Sequence, residues 1–288
     1  VTAPVTLLDV LDVRRSEGPS DVFTGPNLPQ WRPRLFGGQV LGQVAVAAGR
    51  TVEPERALHS LHAYFLRPGD PAVTVEFAVE RLRDGRSFSS RRVQALQNGV
   101  PILSGIASFQ VPADGLDHAG SAPDVPGPEE LRSDADVLAE VDHPGARRIA
   151  SSRPIEIRHV DPPVYLVADP SRAATQAVWL RVPGPLPADP LLHRAALAYA
   201  SDFTVLEPVL RRHGLPWSTP GASVASLDHA MWWHREARAD EWVLFVGDTP
   251  SASGARALAT ARMFDRQGRL VATVAQEGMV RVPGDLLG

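Results

Sequence analysis

From Gly38 to Gly49 the chain reads GQVLGQVAVAAG, without one charged side chain. As a helix this segment has no face for water, so it must be buried on most of its surface. Glycine weakens a helix interior, a cost that close backbone packing offsets. Whatever the chain folds into, it has to wrap other structure around this segment.

Strands follow it. Val73, Val75, Phe77 and Val79 alternate with Thr74, Glu76, Ala78 and Glu80, the period of a half-buried strand. Stretches 87–97 and 101–111 come next, parted by Asn98-Gly99, a strong hairpin signal. A buried helix and an antiparallel sheet form a complete two-layer unit. Ahead of it lie a short helix at 6–12 and a Gly/Pro-rich loop from Glu17 to Arg34 of the kind that shapes pockets.

The pattern then recurs. Ala113 to Pro128 is rich in Pro, Gly and Asp and reads as a link, which divides the chain into 1–128 and 129–288. The second part is expected to hold a polar helix at 129–140, a turn at His143-Pro144-Gly145 and strands at 153–160, 163–168 and 175–182. A long helix from Leu191 to Arg212 follows, bent near Glu207-Pro208 because proline lacks a donor and crowds the preceding turn. Strands at 223–233, 241–249, 255–264 and 270–282 close the chain. His62-Ala63 matches His229-Ala230, and Ala107–Gln110 matches Thr273–Gln276, both roughly 165 residues apart, which indicates a duplicated unit.

Composition narrows the chemistry. The 288 residues contain no cysteine, so disulfides, thiolate nucleophiles and cysteine-ligated metals are excluded. All 29 basic side chains other than histidine are arginine, dispersed among acids to a net charge of -4, which argues against a nucleic-acid partner. No run spans a bilayer and no basic-then-apolar leader is seen, so a cytoplasmic protein is expected. Gly221–Ala225 lacks the last glycine of a lipase-type elbow. The Gly37-Gly38 pair has neither a phosphate-loop ending nor a dinucleotide fingerprint, and reads as the start of a tightly packed helix. His59 and His62 would face opposite sides of a regular strand, so no metal site is expected.

Polar residues inside apolar elements are better candidates. Asp202 follows Ala196–Ser201 in the second buried helix, and a carboxylate there needs partners or a function. A helix-capping acid is the bland alternative. Ser226 and Gln276 lie in strands, where each could equally be a packed side chain serving the sheet.

The ordered motifs Phe36-Gly37-Gly38-Gln39-Val40, His59–Gly69, Leu82–Phe88, Ala107–Gln110, Tyr199–Asp202, Ser226–His229, Met231-Trp232, His234-Arg235 and Gln276–Gly278 together resemble the TesB-type acyl-CoA thioesterase II family. The resemblance implies an α+β double hotdog fold, two fused repeats each wrapping a sheet around a long helix. It implies hydrolysis of acyl-CoA to fatty acid and CoA in the second half, where the family's water-holding Asp, Ser/Thr and Gln fall on Asp202, Ser226 and Gln276. With no histidine or lysine evidently paired with Ser226, direct attack by water is expected. Gly38 and Gln39 are candidate oxyanion or positioning groups. His62, Met231 and Trp232 are candidates for the acyl pocket, and Arg67, Arg91, Arg92 and Arg256 for the CoA phosphates. Arg256 sits in a stretch where Ala257 replaces the family's glycine. No cofactor is implied, CoA entering only as part of the substrate. Homodimers or homotetramers are implied for the assembly.

Two other functions fit the same fold. A non-catalytic acyl-CoA-binding protein would leave the thioester intact, and a hotdog enoyl-CoA hydratase would add water across a double bond. The Asp-x-x-x-x-His pair common in such hydratases is missing from this sequence.

Overall fold

The computed structural model describes residues 6–18, 21–28, 34–141 and 153–286. Helix α1 (Leu7–Leu11) starts at a capping box of Thr6 and Asp9 and precedes strands β1 (Arg14–Arg15) and β2 (Val22–Gly25). The uncharged segment forms helix α2 (Gly37–Gly49), followed by β3 (Ala57–Phe65), β4 (Val75–Asp84), β5 (Phe88–Gln97) and β6 (Val100–Gln110). Asn98 and Gly99 take φ of 51° and 76°, the paired positive values of the tight hairpin that their letters specify.

The second half contains α3 (Asp134–Ala139), β7 (Glu156–His159), β8 (Thr175–Arg181), α4 (Pro190–Ser201), α5 (Glu207–His213), β9 (Ser223–Ser226), β10 (Asp228–Trp233), β11 (Val243–Ser253), β12 (Arg256–Phe264) and β13 (Leu270–Arg281). One sheet joins both halves in the order β1-β2-β4-β5-β6-β3-β10-β13-β12-β11-β8-β7, with β9 also on β13. Read outward from the β3·β10 seam, the two sides have the same connectivity. This is the α+β double hotdog arrangement, with α2 and α4 as its paired central helices.

These helices run antiparallel and touch at their backbones. A Cβ on Gly38 would lie 2.4 Å from the Tyr199 carbonyl oxygen, and one on Gly42 would lie 3.1 Å from that of Ala195. Glycine's helix penalty is therefore offset by an approach no larger residue permits. Gly38→Ala is expected to destabilise the protein by at least about 2 kcal/mol, because the clash is with backbone and the helices must separate. The shift of the urea midpoint at unchanged slope measures it.

Several expectations need correction. Segment 163–168 forms no strand. The polar helix is confined to Asp134–Ala139 after a 3-10 turn at Pro128–Glu130. His143-Pro144-Gly145 lies outside the described residues. The long helix does not bend at Pro208: it ends at Ser201, and Pro208 lies in the first turn of α5, where its missing N–H costs nothing. Asp202 is thereby a helix C-cap rather than a mid-helix residue. At the β11–β12 turn, Gly254 and Ala255 carry the positive φ values, 57° and 59°, whereas Ala257 is buried in regular β12.

The repeated letters are out of step with the matched strand positions, His62 by one residue and Gln110 by three. His62 is exposed while His229 is buried, and Gln276 is buried where Gln110 is not. Because strand side chains alternate, an odd offset reverses every face. With the β3 bulge at His59 matched to the extra residue Leu227, the Leu58–Phe109 pair corresponds to Ser226–Gly278, and the inward-facing counterpart of Gln276 in the first half is Ala107.

Candidate active site

The antiparallel helix pair brings the start of α2 to the end of α4. Asp202 caps α4, so its carboxylate faces the unfavourable negative end of its own helix dipole and the favourable positive end of α2. The Gly38 N–H donates to Asp202 Oδ2 at 2.8 Å. Oδ1 accepts from Ser226 Oγ at 3.3 Å and from Gln276 Nε2 at 3.1 Å, and Gln276 Nε2 also donates to Ser226 Oγ at 2.9 Å. Burial outweighs these three donors and pushes the Asp202 carboxyl up to about 6.

Ser226 reaches this cluster through a bulge. On β10, Met231 faces Val274 of β13, but on β9 Ser226 faces Gly278, a one-residue change of register. Leu227 sits at the step, giving its N–H to Glu277 and taking the N–H of Phe65. In an unbroken strand Leu227 would share the inner face with His229 and Met231, and Ser226 would point outward; the extra residue turns the hydroxyl inward.

Behind Gln276 stands His229. Its Nδ1 lies 2.5 Å from Gln276 Oε1, and its Nε2 lies 3.1 Å from Ser201 Oγ. Burial depresses this imidazole to about 4, against the hydrogen bond to Gln276, so it is neutral at ordinary pH.

Gly37, Asp202, Ser226 and Gln276 border a cavity of about 610 Å³. Its walls are mostly apolar, with Phe36, Phe65, Tyr199, Phe203 and Trp217 prominent, and Arg34, Arg67 and Arg153 also border it. Arg153 lies over the rings of Tyr165 and Phe203, 5.1 and 5.3 Å from their centroids. Among the described residues no group of three or more potential ligand side chains could hold a metal ion.

Residues 155–279 match the acyl-CoA thioesterase family, and residues 27–110 match the acyl-CoA thioesterase N-terminal domain. Mouse acyl-coenzyme A thioesterase 8 is 40% identical over 277 residues, 91% of this chain and 85% of that protein. The chain belongs to the TesB-type acyl-CoA thioesterase family. Acyl-CoA thioesterase 2 of Haemophilus influenzae is 35% identical, covering 90% of this chain and 92% of that one. The crystal structure of the acyl-CoA thioesterase II TesB2 from Mycobacterium marinum superposes with a TM-score of 0.78 at 40% identity, over 96% of this chain and 98% of that one.

Within this thioesterase the expected site residues divide sharply. Asp202, Ser226 and Gln276 come together on one cavity. Gly38 reaches the cluster, but its N–H is taken by Asp202, and the Gln39 N–H is taken by Phe36 O. The Gln39 side chain is buried against Leu28, Pro26 and Asn27, shaping the preceding loop.

The three acyl-pocket candidates lie elsewhere. Met231 is core, and His62 and Trp232 stack edge to face at 4.9 Å on the outer side of the sheet. A bulge between Leu58 and Ser60 also sets His59 against Ser108 and Phe88, on that same outer face rather than the opposite one.

Of the four arginines, only Arg67 borders the cavity. Arg91 is fully buried and ties Thr51, just past the end of α2, to Asp84, filling the place where approximate two-fold symmetry would put a second site. Arg92 pairs with Glu80 and Arg256 with Glu277, both in the open.

The sequence alone assigned no site role to His229, Tyr199, Phe203 or Arg153, although His229 and Tyr199 lie within its motifs. Tyr199 and Phe203 are four apart on the helix and its continuing turn, a spacing that shares a face and was legible. His229 was hidden by the letter match to His62.

Proposed function

We propose that this acyl-CoA thioesterase cleaves its substrate by direct attack of water held between Asp202, Ser226 and Gln276. The meeting of those three groups on one largely apolar cavity carries the reading. Asp202 takes the water proton as the O–C bond forms, and the CoA thiolate leaves as the tetrahedral intermediate collapses. Ser226 and Gln276 orient the water. Among the described residues Ser226 bonds only Asp202 and Gln276 through its side chain, and the chain has no lysine, so its hydroxyl lacks the base that a covalent acyl-serine would need. The start of α2, where Gly37 borders the cavity, offers the positive helix end to the developing oxyanion. The aromatic wall suits the acyl chain, and Arg67, exposed at the rim, suits a CoA phosphate.

A division of the chain at about residue 128 is part of the same proposal, supported by the irregular run from Val111 to Gly127 and the repeat of connectivity on either side. No helix among the described residues is long and apolar enough to cross a membrane. A cytoplasmic location and assembly into homodimers or homotetramers complete the proposal.

The test is free-thiol release from acyl-CoAs of short to long chain. Gln276→Ala and Ser226→Ala should each cut kcat roughly 10²-fold, the scale of a misplaced reactant. Tight acyl-CoA binding with thiol release at background would instead indicate a binding protein, and loss of the enoyl double bond with an intact thioester would indicate a hydratase.

A further inference from the structure

Gln276 has an amide whose two ends are chemically opposite, and its task requires one of them to face Asp202. With Nε2 toward the cavity it donates to both Asp202 Oδ1 and Ser226 Oγ. Turned over, its carbonyl oxygen would confront the carboxylate, and the orienting bonds would be lost. Ser226 does not secure the choice, since a serine hydroxyl can donate as well as accept, and Asp202 secures it only while ionised, since a protonated carboxyl can also donate.

The group that can decide is on the other side. His229, on the inner face of β10, is buried with 1% exposure and holds its Nδ1 2.5 Å from Gln276 Oε1. For this contact to be a hydrogen bond, Nδ1 must carry the proton. A neutral ring then leaves Nε2 as an acceptor, and the group facing it at 3.1 Å is Ser201 Oγ, whose single proton has two acceptors in reach, this nitrogen and the Ala198 carbonyl oxygen at 2.9 Å. Ser201 is fully buried in the last turn of α4, directly before Asp202.

We propose that His229 is a positioning residue for the hydrolytic reaction: its Nδ1–H, held in that tautomer by the Ser201 hydroxyl, locks the Gln276 amide with its NH₂ toward Asp202 and Ser226. This rests on the reading of Asp202 as the base. It makes β10 and the end of α4 a second layer of the site, from Ser201 through His229 and Gln276 to the carboxylate. Ala107, the inward-facing counterpart of Gln276 in the first half, has no amide to orient.

The lock has a signature that a merely structural histidine would lack. The Gln276 donor is among the bonds that hold the Asp202 carboxyl down against burial. Losing the amide's orientation therefore raises that carboxyl further and moves the acid limb of kcat/KM to higher pH. The other titratable or charged groups around the cavity are Tyr199 on α4, Tyr165, and Arg34, Arg67 and Arg153 on the walls, none of which the substitutions below alter.

The experiment measures kcat, KM and the pH profile of kcat/KM for His229→Leu, His229→Gln and Ser201→Ala beside wild type and Asp202→Asn, with thermal melting as the check on folding. His229→Leu should lower kcat about 10–100-fold with KM little changed and shift the acid limb upward by at least half a pH unit. His229→Gln, which again offers an N–H to Oε1, should restore much of both. Ser201→Ala should shift the limb the same way by less. If folded His229→Leu and Ser201→Ala both keep the wild-type limb and kcat, the lock is refuted even though Asp202→Asn is dead. An active Asp202→Asn would overturn the reading of the base itself.

Discussion

Asp202→Asn is expected to lower kcat by ~10²–10⁴-fold, the worth of a positioned general base, in a protein at least as stable as wild type. Asparagine keeps the shape and can still accept from Gly38, but it cannot take a proton. The stability half of the expectation follows from linkage. Burial holds the Asp202 carboxyl at about 6, above its ordinary 3.8, so ionisation costs more in the folded chain than in the unfolded one. This group contributes nothing unfavourable well below pH 3.8, and an increasing penalty as pH rises through 6, which levels off above it. The amide removes that penalty at neutral pH. In wild type, kcat/KM should fall below pH 6 as the base is protonated and be flat above it until another group intervenes. Thiol release from pH 5 to 8 and paired urea titrations check both halves. A mutant with wild-type turnover, or an acid limb far from 6, would contradict the role.

The second large effect lies outside the reacting groups. His159 on β7 is fully enclosed between two carboxylates, with Nδ1 2.7 Å from Asp134 Oδ1 and Nε2 3.0 Å from Glu207 Oε2. Burial alone would depress this imidazole, but the two negative charges and their hydrogen bonds together raise it to about 10. Tyr165 and Arg153 also bond Asp134, and Gln176 bonds Glu207, so α3, β7, β8 and α5 meet in one polar knot beside the cavity wall.

His159→Leu leaves two buried carboxylates without their shared cation and should cost about 3–5 kcal/mol. The sign with pH is that of a raised histidine: its contribution is complete below 6.5 and is lost as pH rises toward 10. The difference between wild-type and mutant stability should therefore shrink across that interval in urea titrations at successive pH values. A constant difference would mean that His159 is held neutral. Because Arg153 and Tyr165 border the cavity proposed to take the acyl chain, the mutant should also raise KM for acyl-CoA more than it lowers kcat.

Much was legible from local chemistry. An uncharged, glycine-punctuated helix demanded burial at close range, and Asn98-Gly99 specified its hairpin. The recurrence of helix and sheet announced the duplication. The ordered motifs singled out Asp202, Ser226 and Gln276. What could not be read was orientation. The pairing of His62 with His229 and of Gln110 with Gln276 was a match of letters, and in strands a slip of one residue exchanges inside for outside.

The sequence by itself determined the elements, the duplication and the residue types available for hydrolysis, because these depend on periodicity and short-range propensity. Tertiary structure alone decided which of them could act together. It took the bulge at Leu227 to turn Ser226 inward, the early end of α4 to bring Asp202 under the Gly38 N–H, and the burial of Arg91 to close the opposite end of the helix pair. Each depends on contacts between segments far apart in the chain, whose direction no local pattern encodes.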